Sequence, residues 1–123
     1  MSLREFEIQQ SIVEWLSHAL PVGSLVHHSP NEGRHNVQFR VKQKRMGMQP
    51  GWPDLEILVA SIYFKQGIKP APIFLEVKTD KGRLSKNQTL CLDKLRAISC
   101  HVCLVRSIDD AQKFLSELMS LQI

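Results

Sequence analysis

The stretch IFLEVKTDKGRLS, Ile73–Ser85, begins with the pattern of a buried strand, and this pattern carries both an acidic and a basic residue. Side chains two residues apart on a strand share a face. Phe74, Glu76 and Lys78 therefore lie on one face, and the apolar residues between them lie on the other. A carboxylate and an ammonium group are thus predicted to project side by side from the end of a central strand.

A second acidic residue stands at the beginning of another apolar stretch, PGWPDLEIL, Pro50–Leu58. If the two strands are neighbours, Asp54 and Glu76 converge, and two nearby carboxylates repel each other unless a cation lies between them. Hard divalent ions such as Mg²⁺ take oxygen ligands of this kind. The alternative is a surface ion pair between Glu76 and Lys78, which would contribute only about 0–1 kcal/mol to stability.

The rest of the chain predicts an α/β fold. Helical periodicity and capping signals predict helices over residues 4–20, 85–98 and from 107 to the end. Apolar, β-rich runs predict strands over residues 24–29, 55–63, 73–78 and 101–106, the last as an internal strand. Residues 37–45 fit a strand or a helix. This order of helix, strands, helix, strand and helix predicts a mixed sheet covered by helices.

The N-terminal helix is predicted to turn polar side chains toward the core. Glu5 lines up with Gln9 on the apolar stripe of the helix, whereas Glu7 lies on a polar row that faces water. A carboxylate turned inward needs a partner, because burying an unpaired charge is costly. Gln88 also lies on the inner face of its helix, although it equally fits a capping box with Ser85. The sequence therefore predicts a site to which four elements each contribute a polar side chain: Glu5, Asp54, Glu76 and Gln88.

The composition indicates one globular domain, residues 1–123, in the cytoplasm. Hydrophobic residues make up 43% and charged residues 23% of the chain, which is typical of a folded domain. No apolar run approaches the roughly 18 residues of a membrane span, and the N-terminus lacks the order of a signal peptide. Three cysteines do not form a disulfide framework, so we expect a reducing compartment.

The net charge of +4 is modest but unevenly distributed. No acidic residue lies between Glu32 and Asp54, while the basic residues there are Arg34, Arg40, Lys42, Lys44 and Arg45. A cluster of one sign attracts a polyanion such as nucleic acid. On charge alone, a solvated basic face is an equally good interpretation.

Some other residues have both a structural and a functional interpretation. Cys100 and Cys103 form a CxxC, but the chain lacks a second pair, and on a strand they point to opposite faces, which argues against a metal site. His27 and His28 could serve as ligands or a general base, although we favour strand residues near DNA. Trp52 stands beside Pro and Gly, where a Trp is more often packed than bound to a ligand.

The acidic residues and their neighbours resemble those of the PD-(D/E)XK nucleases. Pro53-Asp54 and Glu76-Val77-Lys78 match the short signature of that superfamily. The surrounding motifs are similar to the VRR-NUC branch, which includes the nuclease domain of the Fanconi-associated nuclease and stand-alone proteins of phages and bacteria. These motifs are E-x-x-x-Q from Glu5 to Gln9, PN-x-G-R from Pro30 to Arg34, G-x-x-x-G-x-PD from Gly47 to Asp54, and GRLS-x-x-Q from Gly82 to Gln88. The resemblance covers nearly the whole chain, and Glu32 stands where a glycine is common.

The resemblance implies a restriction-endonuclease-like core of α-β-β-β-α-β order and a divalent cofactor, Mg²⁺ or Mn²⁺. The implied metal ligands are Glu5, Asp54, Glu76 and the Val77 carbonyl. Lys78 would position the attacking water and help to deprotonate it. Gln88 would orient water or phosphate nearby.

The resemblance also implies a substrate and partners. Stand-alone members of the branch look like homodimeric Holliday-junction resolvases of DNA repair, so we expect branched double-stranded DNA as substrate, a bacterial or phage origin, and room for a helicase partner. A flap- or restriction-type endonuclease and a DNA-binding module that does not cut are the alternatives. In each case the DNA backbone would be held by Asn31, Arg34, Arg40, Lys42, Lys44 and Arg45, and Trp52 could stack at a junction.

Overall fold

A computed structural model describes residues 1–29 and 37–122. Along these ranges the elements are α1 (Leu3–Ala19), β1 (Leu25–His28), α2 (Val37–Arg45), β2 (Leu55–Leu58), a short 3₁₀-helix (Ser61–Tyr63), β3 (Ile73–Val77), α3 (Lys86–Ala97), β4 (His101–Val105) and α4 (Ile108–Leu118). The predicted α-β-β-β-α-β order is confirmed, with α2 inserted between the first two strands. Asn31 and Arg34 lie outside the described residues.

The strands form one mixed sheet in the order β1-β2-β3-β4. The first three strands are antiparallel to their neighbours, and β4 runs parallel to β3. β4 is therefore an edge strand, and the prediction of an internal strand is wrong. Its apolar residues have another cause: helices cover both faces of the sheet, so Val102 packs on one face while Val105 packs on the other.

Helices pack on both faces of the sheet, and each face has its own apolar cluster. α1 and α4 cover one face, where Ile12 and Leu115 join Leu75 of β3 in the larger apolar cluster. α3 covers the other face, where Leu92 joins Phe74 in a smaller cluster. All residues of β3 are buried, so this strand forms the centre of both layers.

The helix ends follow the predicted caps with one difference. At α3, the Ser85 hydroxyl accepts from the Gln88 N–H at 3.1 Å, and Gln88 Oε1 accepts from the Ser85 N–H at 2.8 Å, which confirms the capping box. At α4, the Ser107 hydroxyl accepts from the Asp110 N–H at 3.1 Å. The Asp110 carboxylate, however, accepts from the N–H of Arg106 at 2.9 Å. It thereby ties the end of β4 to the start of α4.

Two segments between the core elements need comment: one was left open by the sequence, and one is a strand that is shorter than predicted. Val37–Arg45, which the sequence left open, is a helix without a buried residue. β2 ends at Leu58, earlier than predicted, because the chain leaves the sheet and packs on the end of α4, where the Lys65 N–H donates to the Leu118 carbonyl at 2.8 Å. None of the helices in the described ranges is long and apolar enough to cross a membrane.

Candidate active site

Two carboxylates are buried at one end of the sheet, where β2 begins and β3 ends. Leu55 pairs with Leu75 across these antiparallel strands, so Asp54 and Glu76 occupy the next pair of positions on the face toward α3. The exposed fraction is 2% for Asp54 and 1% for Glu76. The predicted approach of the two acidic residues thus follows from the pairing of their strands.

Asp54 is held in place by both neighbouring strands. Its Oδ2 atom accepts a hydrogen bond from the Val77 N–H at 2.8 Å. Its carbonyl accepts from the Ser29 N–H at 3.2 Å and lies 2.9 Å from Nδ1 of His28. These contacts fix both the main chain and the carboxylate, so Asp54 is pre-organised before anything binds.

Gly51 brings the loop before Asp54 against the N-terminus of α3. Its φ of +78° is a conformation that favours glycine, and a Cβ atom there would lie 2.4 Å from the main-chain carbonyl of Asn87. Only a residue without a side chain allows this approach. The loop therefore sets Asp54 beside the helix end that carries Gln88, a role for Gly51 that the periodicity of the sequence did not indicate.

Gln88 is buried to an exposed fraction of 9% at the start of α3. Its Oε1 atom is used by the capping box, so the structural interpretation of this residue is confirmed. The capping box does not use the Nε2 group, and a fixed side chain presents that group with little loss of side-chain entropy. The cap and a role in the site are therefore compatible.

The turn after β3 is clamped by a residue that the sequence analysis missed. The Lys78 N–H donates to the Val105 carbonyl at 3.1 Å, and the Lys78 side chain is half-buried. Nη1 of Arg106 donates to the carbonyls of Thr79, Asp80 and Gly82 in the following turn. Arg106 thus holds the segment between Lys78 and the α3 cap, and its position directly after a buried strand is the signal that could have found it.

α1 brings polar side chains to the opposite face of the same sheet end. Gln9 is 9% exposed, and its amide lies 2.9 Å from Nδ1 of His28. Glu5 is half-buried, and Glu7 is exposed, as the helical spacing predicted. Across residues 1–29 and 37–122, no three His, Cys, Asp or Glu side chains form a group that could hold a metal ion. Glu5 is therefore not gathered with Asp54 and Glu76 into one cluster.

The acidic pair nevertheless suits a hard divalent ion. Mg²⁺ is commonly bound by one or two carboxylates together with waters and substrate phosphates, and it does not need a cage of protein ligands. The charge of Glu76 reaches α3: burial raises the pKa of the Cys91 thiol, the Lys94 ammonium opposes this, and the Glu76 carboxylate adds to it. A cation at the acidic pair would offset that negative field.

A family model, the VRR-NUC domain, matches residues 1–108 of the chain. The chain belongs to the VRR-NUC family. This family is a branch of the PD-(D/E)XK superfamily, so the chain carries a nuclease-type domain. Nuclease domains of this kind act on DNA and generally use divalent metals.

Solved structures show the same fold. A structure called "VRR_NUC domain protein" is 22% identical, with a TM-score of 0.70, and the match covers 95% of this chain and 88% of that one. A second, called "VRR_NUC domain", is 21% identical, with a TM-score of 0.59, and the match covers 94% of this chain and 97% of that one. No match was found among curated proteins. The predicted restriction-endonuclease-like architecture is confirmed.

The basic residues of this VRR-NUC domain lie away from its core. The side chains of α2 that carry positive charge are all exposed: Arg40, Lys42, Lys44 and Arg45. All four lie on the nine-residue helix that precedes the loop leading to Asp54.

Trp52 packs inside the VRR-NUC domain. Its ring meets that of Phe74 edge to face, with centroids 5.3 Å apart and planes at 85°. It also lines a cavity of about 300 Å³, together with Ser29, Met48 and Gln49. The packing interpretation is therefore confirmed, while stacking on a substrate stays a prediction.

The histidine and cysteine candidates fall on structural positions. His27 and His28 are strand residues of β1, as predicted, while a position near DNA stays a prediction. Cys100 packs on the α3 face and Cys103 on the α1 face, so they point apart as predicted. The pKa values of both thiols are raised, mainly by burial.

Proposed function

We propose that this VRR-NUC domain, residues 1–123, is a divalent-metal-dependent endodeoxyribonuclease that cuts phosphodiester bonds in branched DNA, as a homodimeric Holliday-junction resolvase. The observation that carries the proposal is the pair of buried carboxylates, Asp54 and Glu76, at the end of neighbouring strands with Lys78 two residues further on. Buried carboxylates cost stability, so a chain that keeps them needs them for chemistry. A module that only bound DNA would gain nothing from acidic groups beside phosphate.

Asp54, Glu76, the Val77 carbonyl and Glu5 would hold Mg²⁺ or Mn²⁺. When bound, such an ion lowers the pKa of a coordinated water and stabilises negative charge on phosphoryl oxygens. The Val77 N–H fixes Asp54 through Oδ2, which sets the direction of that carboxylate. The half-buried Glu5 would approach from α1, on the other side of the sheet end.

Lys78 and Gln88 would act on the water and the phosphate. Lys78 extends β3 beyond Val77, and its ammonium group would stabilise a developing hydroxide as a fixed positive charge. Gln88 would donate from Nε2 to a water or a phosphate oxygen while Oε1 stays in the capping box. Both residues are positioned by the clamped turn between them, so their spacing is set by the fold.

The DNA backbone would be bound by α2 and the adjoining segment, with Asn31 and Arg34. A helix of nine residues is marginal by itself in water, and α2 has no buried residue. Its exposed charges are suited to phosphates, which attract protein without reading sequence. The chain would therefore recognise the shape of the DNA more than its bases.

Exposed apolar side chains would provide the surface for a second copy. Ile62 on the 3₁₀-helix is 82% exposed, and Val37 on α2 is 72% exposed. A dimer would present two sites to the two strands of a junction. Sedimentation at several concentrations measures this association, with or without DNA, and adding a helicase tests for that partner.

The decisive experiment compares labelled four-way junctions, flaps and plain duplex, with and without Mg²⁺. We expect cleavage of junctions only when Mg²⁺ is present. Preferred cleavage of flaps or of duplex would instead support the flap- or restriction-type alternative. Tight binding of every substrate without any cleavage would support the alternative of a DNA-binding module that does not cut.

The acidic pair is tested by Asp54→Ala and Glu76→Ala. We expect each to abolish cleavage while DNA binding survives, because each removes negative charge near phosphate. Glu56→Gln is the matched control, since Glu56 lies on β2, on the same face as Asp54, but is half-exposed. Loss of binding together with cleavage, in a stably folded variant, would count against a metal-binding role.

The basic helix is tested by comparing two pairs of exposed lysines. Neutralising Lys42 and Lys44 to Gln should flatten the salt dependence of DNA binding, by roughly 0.9 in the logarithmic slope for each lost phosphate contact. The control neutralises Lys69 and Lys113, which are also exposed but lie outside α2. Equal slopes of the salt dependence for both variants would show that α2 is not part of the DNA interface.

A further inference from the structure

One ring nitrogen of His28 faces two polar groups at the edge of the candidate active site. Nδ1 lies 2.9 Å from the Asp54 carbonyl oxygen and 2.9 Å from the amide group of Gln9. A ring nitrogen carries either one proton or one lone pair. It cannot donate to the carbonyl and at the same time accept from the NH₂ of a glutamine.

The carbonyl decides which of the two states holds. A carbonyl oxygen only accepts, so a contact at 2.9 Å requires a proton on Nδ1 of His28. This proton is present in the neutral Nδ1–H tautomer and in the charged ring alike, so the conclusion does not depend on the charge of the ring. The Gln9 atom that faces Nδ1 must then be the amide oxygen.

Turning the Gln9 amide over has a consequence inside the protein. The oxygen and nitrogen of a side-chain amide have nearly the same shape, and the hydrogen bonds decide which is which. The second amide position of Gln9 is buried and has no hydrogen-bond partner within the described ranges. When the amide is turned, that position holds the NH₂ group.

We infer that His28 orients the Gln9 amide so that Gln9 offers the active site a hydrogen-bond donor and not a metal-binding oxygen. The class of group it takes is an anionic or water oxygen, either on the substrate phosphate or on the attacking water. This second part rests on the proposed function, whereas the orientation of the amide does not. An unsatisfied buried donor is costly, which gives the free energy that favours such an oxygen at this position.

His28 is then a positioning residue with two acceptors. Its proton is shared between the Asp54 carbonyl and the Gln9 amide oxygen, so it links β1, the start of β2 and α1 at the sheet end. The link sets Gln9 relative to Asp54 without His28 touching substrate. Residues in such supporting positions determine how accurately the residues of a site are placed, more than whether the site forms.

The tautomer of His28 can be observed directly. Long-range proton–nitrogen correlation on isotope-labelled protein, at mildly alkaline pH, distinguishes Nδ1–H from Nε2–H rings. His101 is an internal control for the other tautomer, because its Nε2 lies 2.7 Å from the Lys69 carbonyl and must carry the proton. We expect Nδ1–H for His28 and Nε2–H for His101. An Nε2–H ring at His28 would overturn the inference, whatever the protein does to DNA.

Gln9→Glu tests the two amide positions separately. A glutamate still offers an oxygen to His28, but it places an oxygen where the NH₂ group would be. We expect the proton to stay on Nδ1 of His28 and cleavage to fall about 10- to 100-fold, as for other supporting hydrogen bonds at active sites. If His28 moves its proton from Nε2 to Nδ1 in this variant, Gln9 donates to the ring in the natural protein and the inference is wrong.

His28→Asn and His28→Leu provide the rescue test. The asparagine amide can still donate from a position close to that of Nδ1, whereas leucine has no donor. We expect the leucine variant to lose about 10- to 100-fold in cleavage and the asparagine variant to recover part of it. Equal activity of both variants would show that the His28 donor does not position Gln9. Absence of cleavage in the unmodified protein would count against the proposed function alone, because the tautomer measurement still stands.

Discussion

Leu75 and Glu76 are neighbours on β3, and each is no more than 1% exposed, yet they belong to different regions of the molecule. Leu75 faces α1 and α4, where it packs in the larger apolar cluster. Glu76 faces α3, where a smaller apolar cluster borders the acidic pair. The same degree of burial therefore stabilises the fold on one face and belongs to the candidate active site on the other.

The difference between the two faces explains how a chain of 123 residues carries such a site. Burying apolar surface contributes roughly 25 cal/mol per Å², whereas burying a charge opposes folding unless the charge is compensated. The larger apolar cluster lies on the α1 and α4 face, whereas the acidic pair, which opposes folding, lies on the α3 face. Four substitutions test this division, in order of their expected effect on the free energy of unfolding.

Leu75→Ala should have the largest effect. The side chain is fully buried between β3 and the helices α1 and α4, so the substitution leaves a cavity and should lower the free energy of unfolding by about 2–5 kcal/mol. Urea unfolding measures the loss. Below the transition, the folded fraction should keep its cleavage rate, because Leu75 points away from the acidic pair. Slower cleavage by a fully folded Leu75→Ala variant would mean that the two faces are not separate.

Gly51→Ala should come next, since it acts on the α3 face through the backbone. Its left-handed φ costs a non-glycine residue about 1–3 kcal/mol, and the new Cβ would also clash with Asn87. Gly23→Ala is the matched control, with a φ of +90° and no atom within 4 Å of the added Cβ. We expect both variants to lose stability but only Gly51→Ala to lose cleavage. Equal cleavage in the two variants would contradict the role of the loop in placing Asp54.

Ser85→Ala and Ser107→Ala compare the caps of α3 and α4. Each removes an N-cap hydrogen bond and should cost about 0.5–2 kcal/mol in thermal or urea unfolding. Only Ser85→Ala also acts at Gln88, because it loosens the helix start that positions this residue, although the bond from the Ser85 N–H to Gln88 Oε1 remains. We therefore expect similar losses of stability but slower cleavage for Ser85→Ala alone, measured at a temperature where both variants are folded.

Glu76→Gln should change stability least and in the opposite direction. In metal-free buffer, the substitution removes a buried charge beside Asp54, so the free energy of unfolding should stay the same or rise. Cleavage should be lost, and so should any stabilisation of the unmodified protein by added Mg²⁺, which follows from linkage between binding and folding. The thermal midpoint with and without Mg²⁺ measures both. A variant that Mg²⁺ still stabilises as strongly would place the ion elsewhere.

The local pattern of the chain was enough to predict much of the fold. The alternation in Ile73–Val77 put Glu76 on the face opposite Leu75, and the spacing of Ser85 and Gln88 predicted the cap that begins α3. These features depend on residues within four positions of one another, so a linear reading captures them. The order of helices and strands along the chain followed from the same patterns and agreed with the order that the resemblance to the VRR-NUC family implied.

The local pattern of the chain did not predict contacts between residues that are far apart along it. Gln9 and His28 are 19 residues apart, and His28 and Asp54 are 26 apart, so their shared proton follows only from the packing of α1 on the sheet edge. Arg106 lies 27 residues from Thr79, whose carbonyl it clamps. β4 was misplaced because an apolar strand covered by helices looks alike at the centre and at the edge of a sheet.

Backbone periodicity and capping are local, so the amino-acid pattern was enough to predict which residues carry charge into the interior, where α1, α3 and α4 begin, and which side of each strand is apolar. The pairing of β2 with β3 that sets Asp54 beside Glu76, the contact of Gly51 with α3, and the position of His28 between Gln9 and Asp54 came only from the folded chain. Those facts depend on how helices and strands pack. Packing is a property of the whole chain, since each close contact requires that the surrounding ones form as well.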